Sequence, residues 1–342
     1  MLRNPRTLVL ALTAALATGT ALAAEVILRP TQELYLMPQT VAVLPDGRKL
    51  NLYCEGQGSP TAILESGWGT PSFTWAHVQA EFAKITRVCV LDRAGYGFSD
   101  PGPLPRDSAA GVADLHAALQ AAHLRPPYIL VGHSLAGFDA RLYAYDYPRE
   151  VTGLLLLDPP TEDLYRRTRE PDEDVDGMRK CMAIAKIRPL VPGAPDGCVD
   201  DPNKVFSPSA SAAIKARFVA EQSRASWFET LLSEDLAMVN QSADELAAAR
   251  HPLGDIPIIV LQADTDCRAK GPPPKPDADS DAGRCAALDR QAGDSTRGQH
   301  RIVAGSRHYI YLQKPQVVED AFQEVVAGAR TVAELPTPSA KQ

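Results

Sequence analysis

The chain has 342 residues, a formal net charge of −7 and six cysteines. No basic patch accompanies this acidic balance, so a nucleic-acid-binding protein is not expected. The length is enough to bury a large core, which is typical of one domain that carries an insertion.

The first 24 residues are predicted to be a signal peptide and not part of the fold. Arg3 and Arg6 form a short basic start, residues 8–23 are apolar and small, and Ala21-Leu22-Ala23 offers a cleavage site. A transmembrane anchor is the alternative, but the run is short and rich in alanine. We therefore expect an exported protein, periplasmic or secreted, with no membrane anchor after cleavage. In that oxidising location the cysteines are candidates for disulfides.

Short apolar runs alternate with helical patterns through most of the chain. Unbroken apolar runs between helices are typical of a parallel sheet covered on both faces, so the predicted fold class is α/β. Residues 159–250 break this rhythm with charged runs and two helical stretches, and we predict a cap inserted after the sixth strand. The predicted strands are residues 40–44, 49–53, 61–64, 87–91, 128–131, 154–157, 256–262 and 301–304.

The remaining boundaries follow from this pattern. Residues 25–158 and 251–330 are predicted to form the core, and residues 331–342 a flexible tail. Ser108 is a candidate N-cap for the second of the core helices. Helices are predicted at residues 74–83, 109–122, 138–147 and 315–327.

The fifth predicted strand runs directly into the turn Gly132-His133-Ser134-Leu135-Ala136-Gly137, and a helical stretch follows. A strand, a Gly-x-Ser turn and a helix in this order are typical of a nucleophile elbow, in which the serine hydroxyl is exposed at a strained turn. Gly132 and Ala136 leave room for the backbone to pass closely; the common form has glycine at the second of these positions. The free N–H groups of the following helix favour negative charge that develops beside Ser134.

A serine nucleophile needs a base, and the base needs an orienting acid. Of seven histidines, only His308 lies in a loop just after a C-terminal strand, in Gly305-Ser306-Arg307-His308-Tyr309. The order Ser, acid, His places the acid between the two. The seventh strand ends with two candidates, Asp264 and Asp266, and Asp158 after the sixth strand is a third.

Two backbone N–H donors are needed for an oxyanion, one just after the nucleophile and one in the loop after the third strand. These positions are Leu135 and Trp68. The second lies in Glu65-Ser66-Gly67-Trp68-Gly69, where two glycines give the loop its conformational freedom. In the cap, Trp227 and Phe228 are either plain core residues or the lining of an acyl pocket.

Over about residues 40–330 the sequence resembles the α/β-hydrolase superfamily, in its serine-nucleophile, esterase-like branch. The resemblance implies an eight-stranded, mostly parallel sheet with helices on both faces and a helical cap. An aspartate at the elbow would be typical of an epoxide or haloalkane hydrolase, and Ser134 argues against both. The motifs that carry the resemblance are Glu65-Ser66-Gly67-Trp68-Gly69, Asp92-Arg93-Ala94-Gly95-Tyr96-Gly97-Phe98-Ser99-Asp100, Gly132-His133-Ser134-Leu135-Ala136-Gly137 and Gly305-Ser306-Arg307-His308-Tyr309.

The resemblance also ranks the candidate acids. Similar proteins carry a small residue followed three places later by the aspartate, which selects Asp266 and leaves Asp264 and Asp158 as alternatives. It implies a structural role for the glycine-rich loop that begins at Asp92. The usual His-Gly before the second oxyanion donor is Ser66-Gly67 in this chain, a departure that changes the neighbouring hydrogen bonds.

The superfamily's sheet order bears on the cysteines as well. It makes the second and fourth strands neighbours, and Cys54 and Cys89 lie on these strands, so a Cys54–Cys89 disulfide is expected. Proximity in sequence then suggests Cys181–Cys198 within the cap and Cys267–Cys285 beside the candidate acid.

These residues predict an exported serine hydrolase that cleaves a carboxylic ester through an acyl-enzyme. Ser134 attacks, His308 transfers the proton, Asp266 orients His308, and the amides of Trp68 and Leu135 bind the oxyanion. The expected partner is a small-molecule ester, and no metal or organic cofactor is expected. An amidase or peptidase and a carbon–carbon bond hydrolase use the same triad and stay open as alternatives. A non-catalytic binding protein on this scaffold is the alternative from another class.

Overall fold

The computed structural model describes residues 34–168, 175–206, 211–264 and 281–334. Eight strands of these residues form one sheet: β1 Thr40–Val43, β2 Lys49–Glu55, β3 Thr61–Glu65, β4 Val88–Asp92, β5 Tyr128–His133, β6 Val151–Leu157, β7 Ile258–Ala263 and β8 Gly298–Val303. Their order in the sheet is β1-β2-β4-β3-β5-β6-β7-β8. The pairs β1–β2 and β2–β4 are antiparallel and the other five are parallel, which confirms the predicted fold class.

Twelve α-helices accompany the sheet in the described ranges. Those of the core are α1 Ala76–Phe82, α2 Ser108–Ala121, α3 Ala136–Asp146, α10 Asp281–Ala292, α11 Ile310–Gln313 and α12 Pro315–Glu334. Between β6 and β7 the chain forms α4 Glu162–Thr168, α5 Val175–Ile187, α6 Pro202–Val205, α7 Ala212–Gln222, α8 Ala225–Ala237 and α9 Ala243–Ala249. No helix in the described ranges is both long and apolar enough to cross a membrane.

Both faces of the sheet are covered, which explains the unbroken apolar runs. Along β5, Tyr128 and Leu130 pack into a core shared with α2, α3, α9 and α10. The alternate residues Ile129 and Val131 pack into a second core on the opposite face, shared with α1 and α12. Because successive side chains of a strand point to opposite faces, a central strand of this sheet must be apolar at every position.

Element boundaries differ from the predictions by a few residues. Helix α2 is capped by Asp107 and not by Ser108, because the Asp107 carboxylate accepts a hydrogen bond from the Ala110 N–H at 2.8 Å. Helix α12 continues to Glu334, four residues into the predicted tail, and residues 335–342 lie outside the described ranges. The division into signal peptide, core and cap stays a prediction.

Two of the three predicted disulfides are present. Cys54 and Cys89 are directly opposed in the antiparallel β2–β4 pair and are bonded, as the strand order required. Cys181 and Cys198 are bonded within the segment between β6 and β7. Cys285 is also disulfide-bonded, but its predicted partner Cys267 lies outside the described residues.

The glycine-rich loop after β4 is the surface on which cap helices dock. Arg217 of α7 lies 4.4 Å from the centre of the Phe98 ring, and Glu221 accepts a hydrogen bond from the Gly97 N–H at 2.8 Å. At Gly95 a Cβ would lie 2.2 Å from the Thr230 hydroxyl of α8. The loop therefore needs glycine because a cap helix packs directly on its backbone.

Candidate active site

The predicted nucleophile lies at the turn between β5 and α3. Ser134 has a φ of 53°, a left-handed conformation that residues other than glycine rarely adopt. Its N–H donates to the Leu157 carbonyl of β6 at 2.9 Å. A Cβ at Gly132 would lie 2.3 Å from the Ala136 carbonyl oxygen, so only glycine fits where the strand passes the helix. The Ser134 side chain is partly exposed.

The two predicted oxyanion donors flank this serine. Leu135 follows Ser134 directly and precedes α3, and Trp68 lies in the loop after β3. A Cβ on Gly67 would lie 2.7 Å from the Ser134 Cβ, so the backbone of this loop packs against the nucleophile. Neither the Leu135 N–H nor the Trp68 N–H donates to an acceptor among the described residues. Two such free backbone donors beside a serine are suited to bind a developing oxyanion.

His308 lies in the loop between β8 and α11, with a buried carboxylate against its ring. Its Nδ1 is 2.6 Å from Asp158 Oδ2. Because a carboxylate accepts, Nδ1 carries the proton and Nε2 is left with a lone pair. A histidine in this tautomer is equipped to act as a base through Nε2.

Asp158 follows β6 at a φ of 45°, another left-handed position that sets the direction of its side chain. Its second oxygen accepts from the Ala263 N–H at 3.0 Å and from Arg284 Nη2 at 2.9 Å. Burial raises the pKa of Asp158, but the hydrogen bond from His308 and the charge of Arg284 outweigh it, and the pKa lies below its usual value. The carboxylate is therefore ionised through the neutral pH range.

This geometry departs from the sequence-based choice of acid. Asp266, the first choice, lies outside the described residues. Asp264, the second choice, is exposed and accepts a hydrogen bond from the Gly305 N–H at 2.7 Å. Asp158 was the third choice and is the carboxylate that meets His308 Nδ1. The Nδ1–H of His308 needs one acceptor, and among the described residues Asp158 is that acceptor.

The residue before the nucleophile connects the two halves of the site. His133 is fully buried and its Nε2 lies 3.0 Å from the His308 carbonyl oxygen. A carbonyl only accepts, so this nitrogen of His133 carries the proton. Burial and the neighbouring His308 lower the pKa of His133 to about 3, and the ring is neutral at physiological pH. No hydrogen bond joins the Ser134 hydroxyl to His308 in the described part of the chain, and such bonds are often long before substrate binds.

Comparison with known proteins agrees with this architecture. The model of the Alpha/beta hydrolase family matches residues 62–321, which include the elbow, the oxyanion loop and His308. The chain belongs to the alpha/beta hydrolase family.

Curated relatives of this alpha/beta hydrolase match about a third of its length. The pimeloyl-[acyl-carrier protein] methyl ester esterase of Chromobacterium violaceum is 39% identical over 112 residues, 32% of this chain and 41% of that protein. The chain spans less than half the length of the curated relatives it matches.

Solved structures share the fold at low sequence identity. The epoxide hydrolase CorEH aligns with a TM-score of 0.60 at 19% identity, over 84% of this chain and 97% of that one. A thermophilic esterase from Thermogutta terrifontis aligns with a TM-score of 0.55 at 19% identity, over 86% of this chain and 98% of that one. At this identity the likeness shows the fold alone.

In this alpha/beta hydrolase the helices between β6 and β7 cover the loop after β3 and form an open cleft of about 630 Å³. Trp68, Trp227, Phe228 and Leu231 contribute to its lining. Trp227 and Phe228 are also buried in the apolar cluster of the cap, so they serve as core and as lining at once. The volume is within the range of small-molecule sites.

Sequence reasoning missed several residues that shape the site. Arg284 comes from α10 and reaches Asp158 from 126 positions away in sequence. Arg93 belongs to a recognised motif, but its contacts with Gly67 and Glu234 are invisible without the fold. Only Asp158 left a local signal, because it directly ends an unbroken apolar strand. No group of three or more His, Cys, Asp or Glu side chains suited to a metal ion is found within the described ranges.

Proposed function

We propose that this protein is an exported serine hydrolase that cleaves a carboxylic ester, with Ser134, His308 and Asp158 as its triad. The observation that carries the proposal is the bond between His308 Nδ1 and the buried Asp158 carboxylate, beside a serine at positive φ. This assignment replaces Asp266, the acid predicted from the sequence. A binding protein on the same scaffold has no need of such an arrangement.

In the first step His308 Nε2 takes the hydroxyl proton of Ser134 as Oγ attacks the ester carbonyl carbon. The charge that forms on the imidazole is stabilised by Asp158, 2.6 Å from Nδ1. The same carboxylate keeps the ring in the tautomer that leaves Nε2 unprotonated before the attack.

The carbonyl oxygen becomes an oxyanion in the tetrahedral intermediate. The N–H groups of Trp68 and Leu135 donate to it, and both are free of acceptors among the described residues. Helix α3 starts one residue after Leu135, so its N-terminal dipole adds to the stabilisation. Donors already in place are effective because they need no reorganisation during the reaction.

The intermediate collapses when His308 returns its proton to the alkoxide leaving group, which departs as an alcohol. Ser134 is then acylated. A water molecule, deprotonated by the same Nε2, attacks the acyl carbon, and collapse of the second intermediate releases the carboxylic acid and restores the serine. No metal or organic cofactor takes part in these steps.

An ester substrate is supported by the curated relative whose name states such an activity, a methyl ester esterase. The cleft of about 630 Å³ meets the candidate site through Trp68, and neither Ser134 nor His308 lines it. Its volume has room for the acyl or alcohol part of a small molecule that extends away from the serine. Export is supported by the leader pattern and by two disulfides that join described residues.

A fluorophosphonate probe and a panel of esters test the proposal. We expect the probe to label Ser134 covalently, as identified by peptide mass mapping, and to abolish hydrolysis of p-nitrophenyl esters. Ser134→Ala and His308→Ala are each expected to lower kcat by about 10⁴-fold or more while the protein stays folded.

His77→Ala is the matched control, because His77 lies on α1 with a partly exposed ring beside Glu319 and outside the site. It is expected to keep wild-type activity. If Ser134→Ala keeps a tenth of the activity, or if the probe labels another residue, the proposed function is wrong. Hydrolysis of anilides but not of esters would move the activity to the amidase class.

A further inference from the structure

The loop that carries the Trp68 N–H is tied to one face of cap helix α8. The Trp68 indole donates to the Leu231 carbonyl at 2.9 Å. The Gly69 N–H donates to the Tyr96 hydroxyl at 3.3 Å, and this hydroxyl donates to Glu234 at 2.6 Å. Leu231 and Glu234 lie three positions apart on α8, and residues at this spacing share a helix face.

Arg93 supplies a third connection between this loop and α8. Its side chain is buried, and Nη2 donates to the Gly67 carbonyl at 3.3 Å and to Glu234 Oε2 at 3.0 Å. A second, longer contact of 3.9 Å joins Nη1 to Asp139 of α3. Nη2 therefore links the oxyanion loop to the cap, while Nη1 lies near the elbow helix without a hydrogen bond, and a lysine ammonium lacks this planar geometry.

The bond to the Gly67 carbonyl acts on the Trp68 N–H through a single peptide group. The carbonyl and the N–H of a trans peptide point in opposite directions in one plane. The Gly67 carbonyl accepts from Arg93 and also from the Thr70 N–H at 3.2 Å. A guanidinium that adds its hold on the carbonyl to that backbone bond helps to fix the direction of the N–H on the other side of the peptide. Donation to the carbonyl also polarises the peptide and strengthens the N–H as a donor.

We propose that Arg93 and Glu234 are positioning residues for the oxyanion hole. The pair holds the Gly67–Trp68 peptide with its N–H directed at the developing oxyanion, and it makes this orientation depend on the docking of α8. The inference rests on the proposed function, because it assigns a role in the step that Ser134 begins. Neither residue touches the reacting atoms, so both act through the peptide.

Arg93→Lys is the variant that tests this role. It keeps the charge but not the fork, and we expect kcat to fall about 10- to 100-fold with KM within about threefold, because loss of a whole oxyanion donor costs about 10²- to 10³-fold. A phenylboronic acid forms a tetrahedral adduct on the nucleophile and uses the same donors. Its affinity is expected to fall by the same factor as kcat, whereas inhibition by the carboxylate product stays unchanged.

Arg106→Lys is the matched control. Arg106 is equally buried and pairs with Asp114 at 2.7 Å, and it donates no hydrogen bond to the oxyanion loop. We expect its kcat and its boronate affinity to stay within about threefold of wild type. Equal losses in the two lysine variants would overturn the proposal, and so would a fall in kcat with unchanged boronate affinity.

A second variant covers the case in which Arg93→Lys does not fold by circular dichroism. Tyr96→Phe removes the acceptor of the Gly69 N–H and the donor to Glu234. We expect kcat and boronate affinity to fall together by about 3- to 10-fold; wild-type values for both would overturn the proposal. If Ser134 is labelled by the fluorophosphonate while these variants behave as wild type, only the positioning role fails and the proposed function stands.

Discussion

The ends of β6 and β7 are neighbours in the sheet, and each is followed by an aspartate. Asp158 after β6 is buried at a positive φ and bonds His308, the Ala263 N–H and Arg284. Asp264 after β7 is exposed and bonds the Gly305 N–H.

Both aspartates thus contact the histidine loop, but in different ways. Asp264 bonds the backbone of Gly305, two residues after the end of β8, whereas Asp158 bonds the imidazole itself. The difference arises from side-chain direction, since parallel strands bring both carboxylates to the same edge of the sheet. Residue type and position after a strand therefore do not show which aspartate bonds the imidazole and which bonds only the loop backbone.

The largest effect is expected from exchanging the acid itself. Asp158→Asn should lower kcat by about 10³- to 10⁴-fold, because an amide neither stabilises the imidazolium nor enforces the tautomer with Nδ1 protonated. Asp264→Asn and Asp266→Asn, assayed on the same ester, should stay within about threefold of wild type. A greater loss in either of these two variants would return the acid role to the end of β7.

The contact between Arg284 and Asp158 can be tested through the pH dependence of kcat/KM. Arg284 places a positive charge 2.9 Å from Asp158 Oδ1, and this charge helps to hold the pKa of Asp158 below its usual value. Removing it in Arg284→Gln should raise the pKa of Asp158, and the acid limb of kcat/KM should move up by about 0.5 pH unit, since the arginine is partly exposed and screened.

Among the described residues, His133 also faces this pair, and burial keeps its ring neutral. Arg290→Gln is the control for the pH measurement, because Arg290 lies on the same helix and pairs with Asp163 away from the site. Its profile should match wild type. An acid limb that moves to lower pH in Arg284→Gln, or does not move, would contradict the assigned interaction.

The smallest effect is expected from Asp264→Ala, which removes the acceptor of the Gly305 N–H. An exposed hydrogen bond of this kind contributes at most about 1 kcal/mol to the free energy of unfolding. The expected loss in Tm is about 1–3 °C, with kcat within about threefold of wild type. Thermal unfolding and ester hydrolysis on one preparation measure both. A large loss of kcat with unchanged Tm would make Asp264 part of the chemistry.

Most of the fold and about half of the candidate site could be predicted from the local sequence. The strands were recognisable because both faces of the sheet are buried, and the elbow because Gly132 and Ser134 occupy positions with strict backbone demands. The Cys54–Cys89 bond followed from strand order and is present. In each case the deciding interaction lies within one strand–turn–helix unit or between strands whose order the superfamily pattern implies.

Tertiary structure alone decided the partners of these residues. Asp158 meets His308 across 150 positions and Arg93 meets Glu234 across 141. Such pairs depend on strand register, on the side-chain rotamer and on how the cap docks, and none of these leaves a pattern in the neighbouring residues. The sequence by itself predicted Ser134 as the residue that attacks and His308 as the residue that takes the proton. Which carboxylate orients the base, and what holds the oxyanion peptide, depended on contacts between distant elements that only the folded chain brings within hydrogen-bond distance.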